Sequence, residues 1–179
     1  MKIVRMRKRK GFTMVELMVV IIIMAILGLA VIPSLVGSSE KAKYSRAWND
    51  LNAISNAFTA FYGRVGNLPS INGTTLTDTS VSGTITDLSG KSLDAKDLLQ
   101  SFLGTPLKNL KDPWGNPYQI MSSWGPSTGK GCIVVYVTGG TTAATSFGKD
   151  SSDKDISVNA RLDPYNNDQP MAKLVINVM

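Results

Sequence analysis

The amino-acid sequence is dominated by a run near its start, residues 12–36, in which Glu16 is the one charged side chain. Roughly twenty apolar residues are enough to cross a bilayer as a helix, and this length favours a helix over a buried strand. The ten residues before Gly11 include six Lys or Arg, at positions 2, 5, 7, 8, 9 and 10. Because basic flanks stay in the cytoplasm, the pattern predicts a cytoplasmic leader and a translocated C-terminal part.

The position of a small residue before the apolar run decides how the leader should be interpreted. An ordinary secretory signal carries its small-residue cleavage site after the apolar region, where residues 33–38 offer no convincing one. The small residue is instead Gly11, followed by Phe12, Thr13 and, three residues further on, Glu16. This order resembles the type IV prepilin family. The resemblance implies that a membrane peptidase cuts between Gly11 and Phe12, methylates the new amino terminus at Phe12, and leaves the apolar helix in the mature protein.

Glu16 is the first candidate for an assembly role. An ionisable side chain within a membrane helix costs about 2.5–3.5 kcal/mol at mid-bilayer and is a functional candidate by default. Glu16 lies about one helical turn from Phe12, whose α-amine would supply a cation after cleavage. The pair can form within one subunit, but the resemblance implies that it forms between neighbours and sets the axial register of a filament. The alternative is a tolerated carboxylate at the membrane interface.

Pro33 is the third assembly candidate, beside Phe12 and Glu16. Proline lacks an amide hydrogen, and in a helix it kinks or loosens the preceding turn. A plain kink near the membrane exit is the simpler interpretation. The family resemblance implies instead that this region partly unwinds during assembly.

Charge and composition exclude several function classes. The net charge of +6 arises from 19 Lys and Arg against 13 Asp and Glu. Without the six leader charges the two signs balance, so the mature chain offers no bulk attraction to nucleic acid.

Histidine is absent from the sequence, which removes the Ser-His-Asp and Cys-His arrangements. A single cysteine, Cys132, is predicted to be a buried apolar residue. We expect a protein that is not an enzyme and that takes no nucleotide or organic cofactor.

Beyond Gly37 the sequence becomes amphipathic. Apolar residues recur at spacings of three and four, which is typical of a helix with one buried stripe. The stripe comprises Tyr44, Ala47, Trp48, Leu51, Ile54, Phe58, Phe61 and Tyr62. Gly63, Gly66 and Pro69 supply stop signals. A coiled coil is one possible use of such a stripe, but the aromatic residues and the lack of strict heptads favour packing on a sheet.

The remaining sequence predicts a brief helix and several strands. Ser92 or Asp94 is placed to cap a helix that ends at Gly104. Residues 70–92 read as a loop with room for a short hairpin, and strands are expected at 132–138, 156–158 and 173–178. Strands gathered after one long helix predict an α+β fold, with the helix packed on a small antiparallel sheet. The resulting division is a cleaved leader (1–11), an apolar transmembrane and assembly helix (12–36), its amphipathic half (37–66) and a globular domain (67–179).

The string Asp112-Pro113-Trp114-Gly115 predicts a rigid corner. Asp at the first position, Pro at the second and Gly at the fourth are typical of a type I turn. The longer string through Tyr118 also resembles the Asp-Pro-Trp-Gly-x-Pro-Tyr signature of the major pseudopilins of type II secretion. In that family the turn opens the antiparallel sheet.

An acidic segment, residues 146–156, is a candidate calcium site. Asp150, Asp153 and Asp155 lie within six positions, and hard carboxylate oxygens suit Ca²⁺. The spacing is not that of an EF-hand, but the segment is similar to the calcium loop of major pseudopilins. It departs from that pattern in its shorter length and in Lys149 and Lys154. Those lysines could neutralise the acids without a metal, so a solvated charged loop is the alternative.

Together the motifs favour a major pseudopilin that polymerises into the periplasmic filament of a type II secretion system. The resemblance implies a homopolymer stored as a single-pass protein of the inner membrane, with its C-terminal domain in the periplasm. It also implies minor pseudopilins or pilins, a prepilin peptidase, and an assembly platform with a separate cytoplasmic ATPase as partners. Two alternatives stay open: a pilin of a surface fibre used for adhesion, motility or DNA uptake, and a single-pass anchored binding module.

Overall fold

The computed structural model describes residues 11–123, 131–149 and 155–178, without the side chains of residues 30–36, 177 and 178. The chain divides into two units, Met1–Glu40 and Lys41–Met179. Helix α1 (Met14–Val65) contributes residues to both. It begins two residues later than Phe12, the start expected from the sequence, because Thr13 caps it.

The described part of the first unit is the beginning of α1. Apolar side chains from Met14 to Leu29 are exposed on every face of this stretch, and Phe12 before it is 86% exposed. Among the described residues, no helix is both long enough and apolar enough to cross a bilayer. The predicted kink at Pro33 falls among the residues whose side chains lie outside the described part.

The second unit contains the rest of α1, one further helix and short antiparallel strands. The helix is α2 (Ala95–Leu103), and a single 3₁₀ turn follows at Leu107–Asn109. The strands are β1 (Ser70–Ile71), β2 (Val81–Ser82), β3 (Thr84–Thr86), β4 (Ser92–Asp94), β5 (Gln119–Ser122), β6 (Gly131–Tyr136), β7 (Thr142–Lys149), β8 (Asp155–Asp163), β9 (Gln169–Pro170) and β10 (Ala172–Val178). The predicted α+β fold is confirmed.

The central sheet has the strand order β10-β6-β5, and α1 covers one of its faces. Alternate residues of β6 and the segment after it, Ile133, Val135 and Val137, pack in one cluster with the buried stripe of α1. Phe58 and Phe61 of that stripe are fully buried. Burial of one such side chain contributes about 1.5–3 kcal/mol, so the stripe fixes this part of α1 on the sheet, as the sequence predicted.

The other face of the central sheet is covered by the β7–β8 hairpin, which the sequence did not reveal. Cys132 and Val134, the residues of β6 that point away from α1, pack with Ile156 and Val158 of β8. Every residue from Gly131 to Val135 is therefore buried. Residues 146–149, predicted to be loop, belong to β7, which pairs with β8. The residues of β7 are mostly small or polar, so their propensities gave no strand signal. The strand forms because of this tertiary packing.

Helix α2 begins and ends where the sequence placed its signals. The carboxylate of Asp94 accepts hydrogen bonds from the N–H groups of Lys96 and Asp97, at 2.8 and 3.4 Å. Gly104, with φ +67°, takes the left-handed conformation that ends the helix. Of the two predicted caps, Asp94 is the one used.

Candidate processing and assembly sites

The beginning of α1 is built by a reciprocal pair of hydrogen bonds between Thr13 and Glu16. The Thr13 N–H donates to Glu16 Oε2 at 3.0 Å, and the Glu16 N–H donates to Thr13 Oγ1 at 3.2 Å. The Thr13 hydroxyl also donates to the same carboxylate oxygen at 3.1 Å. This is the capping box expected from Thr-x-x-Glu at a helix start. The Thr-x-x-Glu spacing is visible in the sequence. Glu16 was interpreted only as an assembly residue, however, so no role was predicted for Thr13.

The capping box leaves part of the Glu16 carboxylate free. All of its described hydrogen bonds go to Oε2, so Oε1 can accept another donor. A negative side chain in the first helical turn is also stabilised by the helix macrodipole. Phe12 directly precedes Thr13, so an amine created there would arise next to this carboxylate. The arrangement can therefore hold an acid at the helix end and offer one oxygen to a cation.

Gly11 lies at an exposed position before the helix. A Cβ atom built on Gly11 would meet no atom within 4 Å, and its φ lies outside the left-handed region. The fold therefore does not require glycine at this position. Any requirement for it must come from something that binds the segment, such as the predicted peptidase.

The second predicted feature, the turn Asp112–Gly115, is closed by the hydrogen bond that defines it. The Gly115 N–H donates to the Asp112 carbonyl at 3.0 Å, with φ +91° at Gly115. The buried Asp112 carboxylate accepts from the N–H groups of Trp114, at 3.0 Å, and Asn116, at 2.8 Å. This confirms the rigid corner. Asp112 is required because it satisfies two backbone donors that the turn would otherwise leave unpaired.

The corner holds Trp114 in a cluster with Tyr44 of α1 and Arg161 of β8. The Arg161 guanidinium carbon lies 3.7 Å from the centroid of the Trp114 ring, and the Tyr44 ring meets Trp114 edge-on at 4.9 Å. Nε and Nη2 of Arg161 donate to the Tyr44 hydroxyl at 3.4 and 3.2 Å. The sequence carried no local signal for this cluster, because Tyr44 and Arg161 are 117 residues apart.

A buried hydrogen bond joins the sheet to the helix next to this cluster. The Tyr118 hydroxyl donates to Asp50 Oδ2 at 2.8 Å, and Arg46 lies 3.7 Å from the same carboxylate. Burial, together with the hydrogen bond to Asp50, raises the pKa of Tyr118 well above its usual value. Tyr118 therefore stays protonated and donates to Asp50 at any ordinary pH.

A second polar connection lies near the end of α1. Asp87 accepts from the Ser89 hydroxyl at 2.6 Å and from the N–H groups of Ser89 and Lys91, each at 2.9 Å. Arg64 lies 3.6 Å away. The hydrogen bond from the Ser89 side chain, then that from Lys91, lowers the pKa of Asp87. Asp87 is therefore a structural carboxylate that fixes the loop before β4.

The predicted calcium segment is described only in part. Asp150 and Asp153 lie outside the described residues. Asp155, exposed at the start of β8, is paired in register with Lys149. Over the described ranges no group of three His, Cys, Asp or Glu side chains is placed to hold a metal. One carboxylate next to a lysine at the end of a hairpin fits calcium only in part, so the site stays a prediction.

Asp163, an acid at the end of β8, has a structural role. Asp163 is buried, and its two oxygens accept from Trp48 Nε1 at 2.8 Å and from the Tyr165 N–H at 3.0 Å. Both oxygens thus have partners within the protein. Asp163 connects α1 to the turn after β8 and is not placed as a metal ligand.

Comparison with known proteins agrees with these features. Residues 6–32 match the family model described as a prokaryotic N-terminal methylation motif. The chain is 36% identical over 117 residues to the type II secretion system core protein G of Aeromonas hydrophila, covering 65% of this chain and 75% of that protein. It is 35% identical over 136 residues to the core protein G of Vibrio cholerae, covering 75% and 83%. The core protein G of Pseudomonas aeruginosa is 31% identical over 134 residues, covering 74% and 84%. No solved structure matches the chain.

Proposed function

This chain belongs to the family of type II secretion system core protein G, the major pseudopilins, and we propose how it matures and assembles. A peptidase cuts between Gly11 and Phe12, and the amino group of Phe12 is methylated. The mature subunit is stored in the inner membrane through residues 12–36. It then polymerises into a periplasmic filament that serves secretion.

The observation that carries this proposal is the Thr13–Glu16 capping box beside an exposed Phe12. The box orders α1 from Met14 onward, so the segment to be cut lies just before a formed helix. It also holds the Glu16 carboxylate at the helix end that faces the new amine. Processing and charge placement are thus combined within six residues, from Gly11 to Glu16.

Assembly follows from the cost of an unpaired acid in a membrane segment. At mid-bilayer this cost is about 2.5–3.5 kcal/mol. In the proposal, the free Oε1 of Glu16 receives the methylated amine of a neighbouring subunit, while Oε2 keeps its bonds to Thr13. The pair removes the unpaired charge and sets the axial position of one subunit against the next.

Partners and location follow from membership in a secretion-system family. A pseudopilin is a membrane-anchored subunit that a prepilin peptidase processes and that assembles with other components of its system. In the finer proposal, the partners are copies of this chain, minor pseudopilins, and an inner-membrane platform whose cytoplasmic ATPase supplies energy. The relatives named core protein G favour this filament over a surface pilus and over a tethered binding module. The proposal assigns no catalytic role to the chain.

Processing can be tested at Gly11. N-terminal sequencing of the mature wild-type protein should begin at Phe12. Gly11→Val should keep the leader attached and should leave the thermal unfolding of the second unit unchanged, since the position has open space around it. A wild-type protein that begins at Met1, or a Gly11→Val variant that is still cut, would contradict the proposal.

Assembly can be tested separately at Glu16. Glu16→Leu and Glu16→Ala should be processed and inserted into the membrane as the wild type is, but filaments sheared from cells should be lost. The physical reason is that both variants remove the acceptor for the neighbour's amine. Normal filament yield from either variant would show that Glu16 has no assembly role.

Calcium remains part of the proposal as a structural ion held by Asp150, Asp153 and Asp155. Its chemistry is the preference of Ca²⁺ for several carboxylate oxygens. Melting the full chain in detergent with and without EGTA tests it, and Asp153→Asn should abolish any shift. An unchanged melting temperature would remove calcium from the account and would leave a charged loop neutralised by Lys149 and Lys154.

A further inference from the structure

Arg161 is held rigidly at the surface of the second unit. Its guanidinium carbon lies over Trp114, at 3.7 Å from the ring centroid, and its Nε and Nη2 donate to the Tyr44 hydroxyl. On another side it meets Gly140, where a Cβ would lie 3.1 Å from the guanidinium carbon. Gly140, with φ +68°, lets the backbone approach this closely. These contacts restrict the motion of the Arg161 side chain.

In residues 11–123, 131–149 and 155–178, no carboxylate oxygen lies within salt-bridge distance of the Arg161 guanidinium. Tyr44 occupies the Nε–Nη2 edge, which leaves the Nη1–Nη2 end for another acceptor. A cavity of about 270 Å³, lined by Gly140, Thr141 and Asp168 among others, lies in front of it. A half-buried, preorganised guanidinium with one free edge is suited to a carboxylate, which it can bind through two hydrogen bonds.

We propose that Arg161 binds the Asp97 carboxylate of a second copy of this chain, an inference that rests on the proposed filament function. The contact is head to tail, because Arg161 of one copy meets Asp97 of the next. Contacts between two different patches of the same protein repeat without closing and generate a filament. The ion pair adds a specific contact between globular units to the one proposed at Glu16.

Asp97 fits this role because it is exposed on a regular helix. It lies in the first turn of α2, whose opposite face is buried through Ala95, Leu98 and Leu99. In the described part of the chain its carboxylate makes no hydrogen bond or ion pair. Asp168 lines the same cavity as Arg161 and so belongs to the receiving side. Asp155 lies opposite Lys149.

Arg161 and Asp97 lie near opposite ends of the part of α1 that belongs to the second unit. Arg161 contacts Tyr44, whereas Asp97 lines a cavity together with Arg64. Tyr44 and Arg64 are twenty residues apart in α1, which corresponds to about 30 Å along the helix axis at 1.5 Å per residue. A donor patch at one end and an acceptor patch at the other is the arrangement that axial stacking of copies requires.

The first test is a charge exchange in the full chain, read as the filament yield sheared from cells. Asp97→Arg and Arg161→Asp should each lower the yield about tenfold or more, as expected when one partner of a charge pair is lost. The double variant should recover to within about threefold of the wild type. Failure of the double variant to exceed either single variant would overturn the pairing.

A milder variant separates contact from folding. Asp97→Asn should lower the filament yield without changing the melting temperature in detergent, because the Asp97 carboxylate has no hydrogen-bond or ion-pair partner among the described residues. Lys96→Gln, at the neighbouring position of α2, changes the net charge by one unit in the opposite direction and should leave the yield unchanged. Equal yields from Asp97→Asn and the wild type would overturn the inference, whatever happens at Arg161.

Proximity can be measured through introduced cysteines, since the native Cys132 is buried. Thr141 lines the Arg161 cavity, and Ser101 lies one turn from Asp97. Filaments carrying Thr141→Cys and Ser101→Cys together should give a ladder of multimers with a short bismaleimide, and each single variant should give none. Wild-type filaments combined with a missing ladder would overturn this contact alone. A wild-type chain that forms no filaments would instead overturn the proposed function.

Discussion

The two stretches of α1, residues 14–29 and 41–65, are both apolar helix but differ in what covers them. In the first, apolar side chains are exposed on all faces, and Ile22 is 53% exposed. In the second, one stripe is buried and the opposite face is polar, and Phe58 is fully buried. A helix that is apolar all round needs an apolar partner, whereas an amphipathic helix needs only one packed face. The described part of the second unit covers the stripe of the second stretch, whereas the apolar side chains of the first are exposed.

This difference explains how one helix can serve two purposes. The second stretch packs on the sheet and belongs to the core of the second unit. The surface of residues 14–29 is available to lipid or to other copies. In the proposed assembly, polymerisation exchanges one apolar environment for another, and the polar pair at Glu16 sets the position of each subunit.

The distinction between the two stretches of α1 can be tested by truncating one side chain in each. Phe58→Ala should destabilise the second unit by about 3–5 kcal/mol, because it removes buried area and leaves a cavity. Ile22→Ala should leave the unfolding free energy of that unit unchanged, since Ile22 contributes nothing to its core. Denaturant unfolding of the full chain in detergent, followed by near-ultraviolet circular dichroism, measures both. Similar losses from the two variants would show that the distinction between the stretches is wrong.

A smaller effect is expected from the polar connection that anchors the second stretch. Tyr118→Phe removes the donor to Asp50 and should cost about 1.5–3 kcal/mol, the range for hydrogen bonds to charged groups. Tyr165→Phe removes a hydroxyl from a ring that is about half exposed and is the matched control. The same unfolding experiment should place Tyr118→Phe well below the control. Equal stability of the two variants would mean that burial alone holds α1 on the sheet.

The smallest predicted effect is a pH dependence at the end of α1. The lowered pKa of Asp87 means that its folded form binds a proton less readily than its unfolded form. Its contribution is therefore present above the ordinary aspartate pKa and is lost as the pH falls through the lowered folded value. Unfolding measured from pH 6 down to about 2 should show a steeper loss for the wild type than for Asp87→Asn. Parallel curves would remove Asp87 from the acid sensitivity of the protein.

Local signals predicted much of the fold correctly. The Asp112–Gly115 turn and the ends of α2 at Asp94 and Gly104 each depend on residues a few positions apart, so the sequence contains all of their determinants. The buried stripe of α1 was also predicted, because helical periodicity is local. Strand β7 was missed and β8 was predicted only over residues 156–158, since this hairpin is stabilised by packing on the outer face of β6.

The candidate functional residues also divide into those with a local sequence signal and those that depend on distant contacts. A processing and assembly role for Gly11, Phe12 and Glu16 could be proposed from the sequence, because the motif lies in neighbouring residues, and it stays a prediction. The stacking of Arg161 on Trp114 and Tyr44 could not, and neither could the role of Asp163 as an acceptor for Trp48. Those contacts join elements more than 40 residues apart.

The sequence by itself determined the apolar start of α1, its cap, the amphipathic stripe and the family resemblance, because each depends on the spacing of neighbouring residues. Only the tertiary structure decided that the central sheet is covered on both faces and that, among the described residues, one edge of the Arg161 guanidinium has no acceptor. The physical reason is that burial and charge neutralisation depend on which distant side chains meet, and that choice is made by the packing of the whole unit.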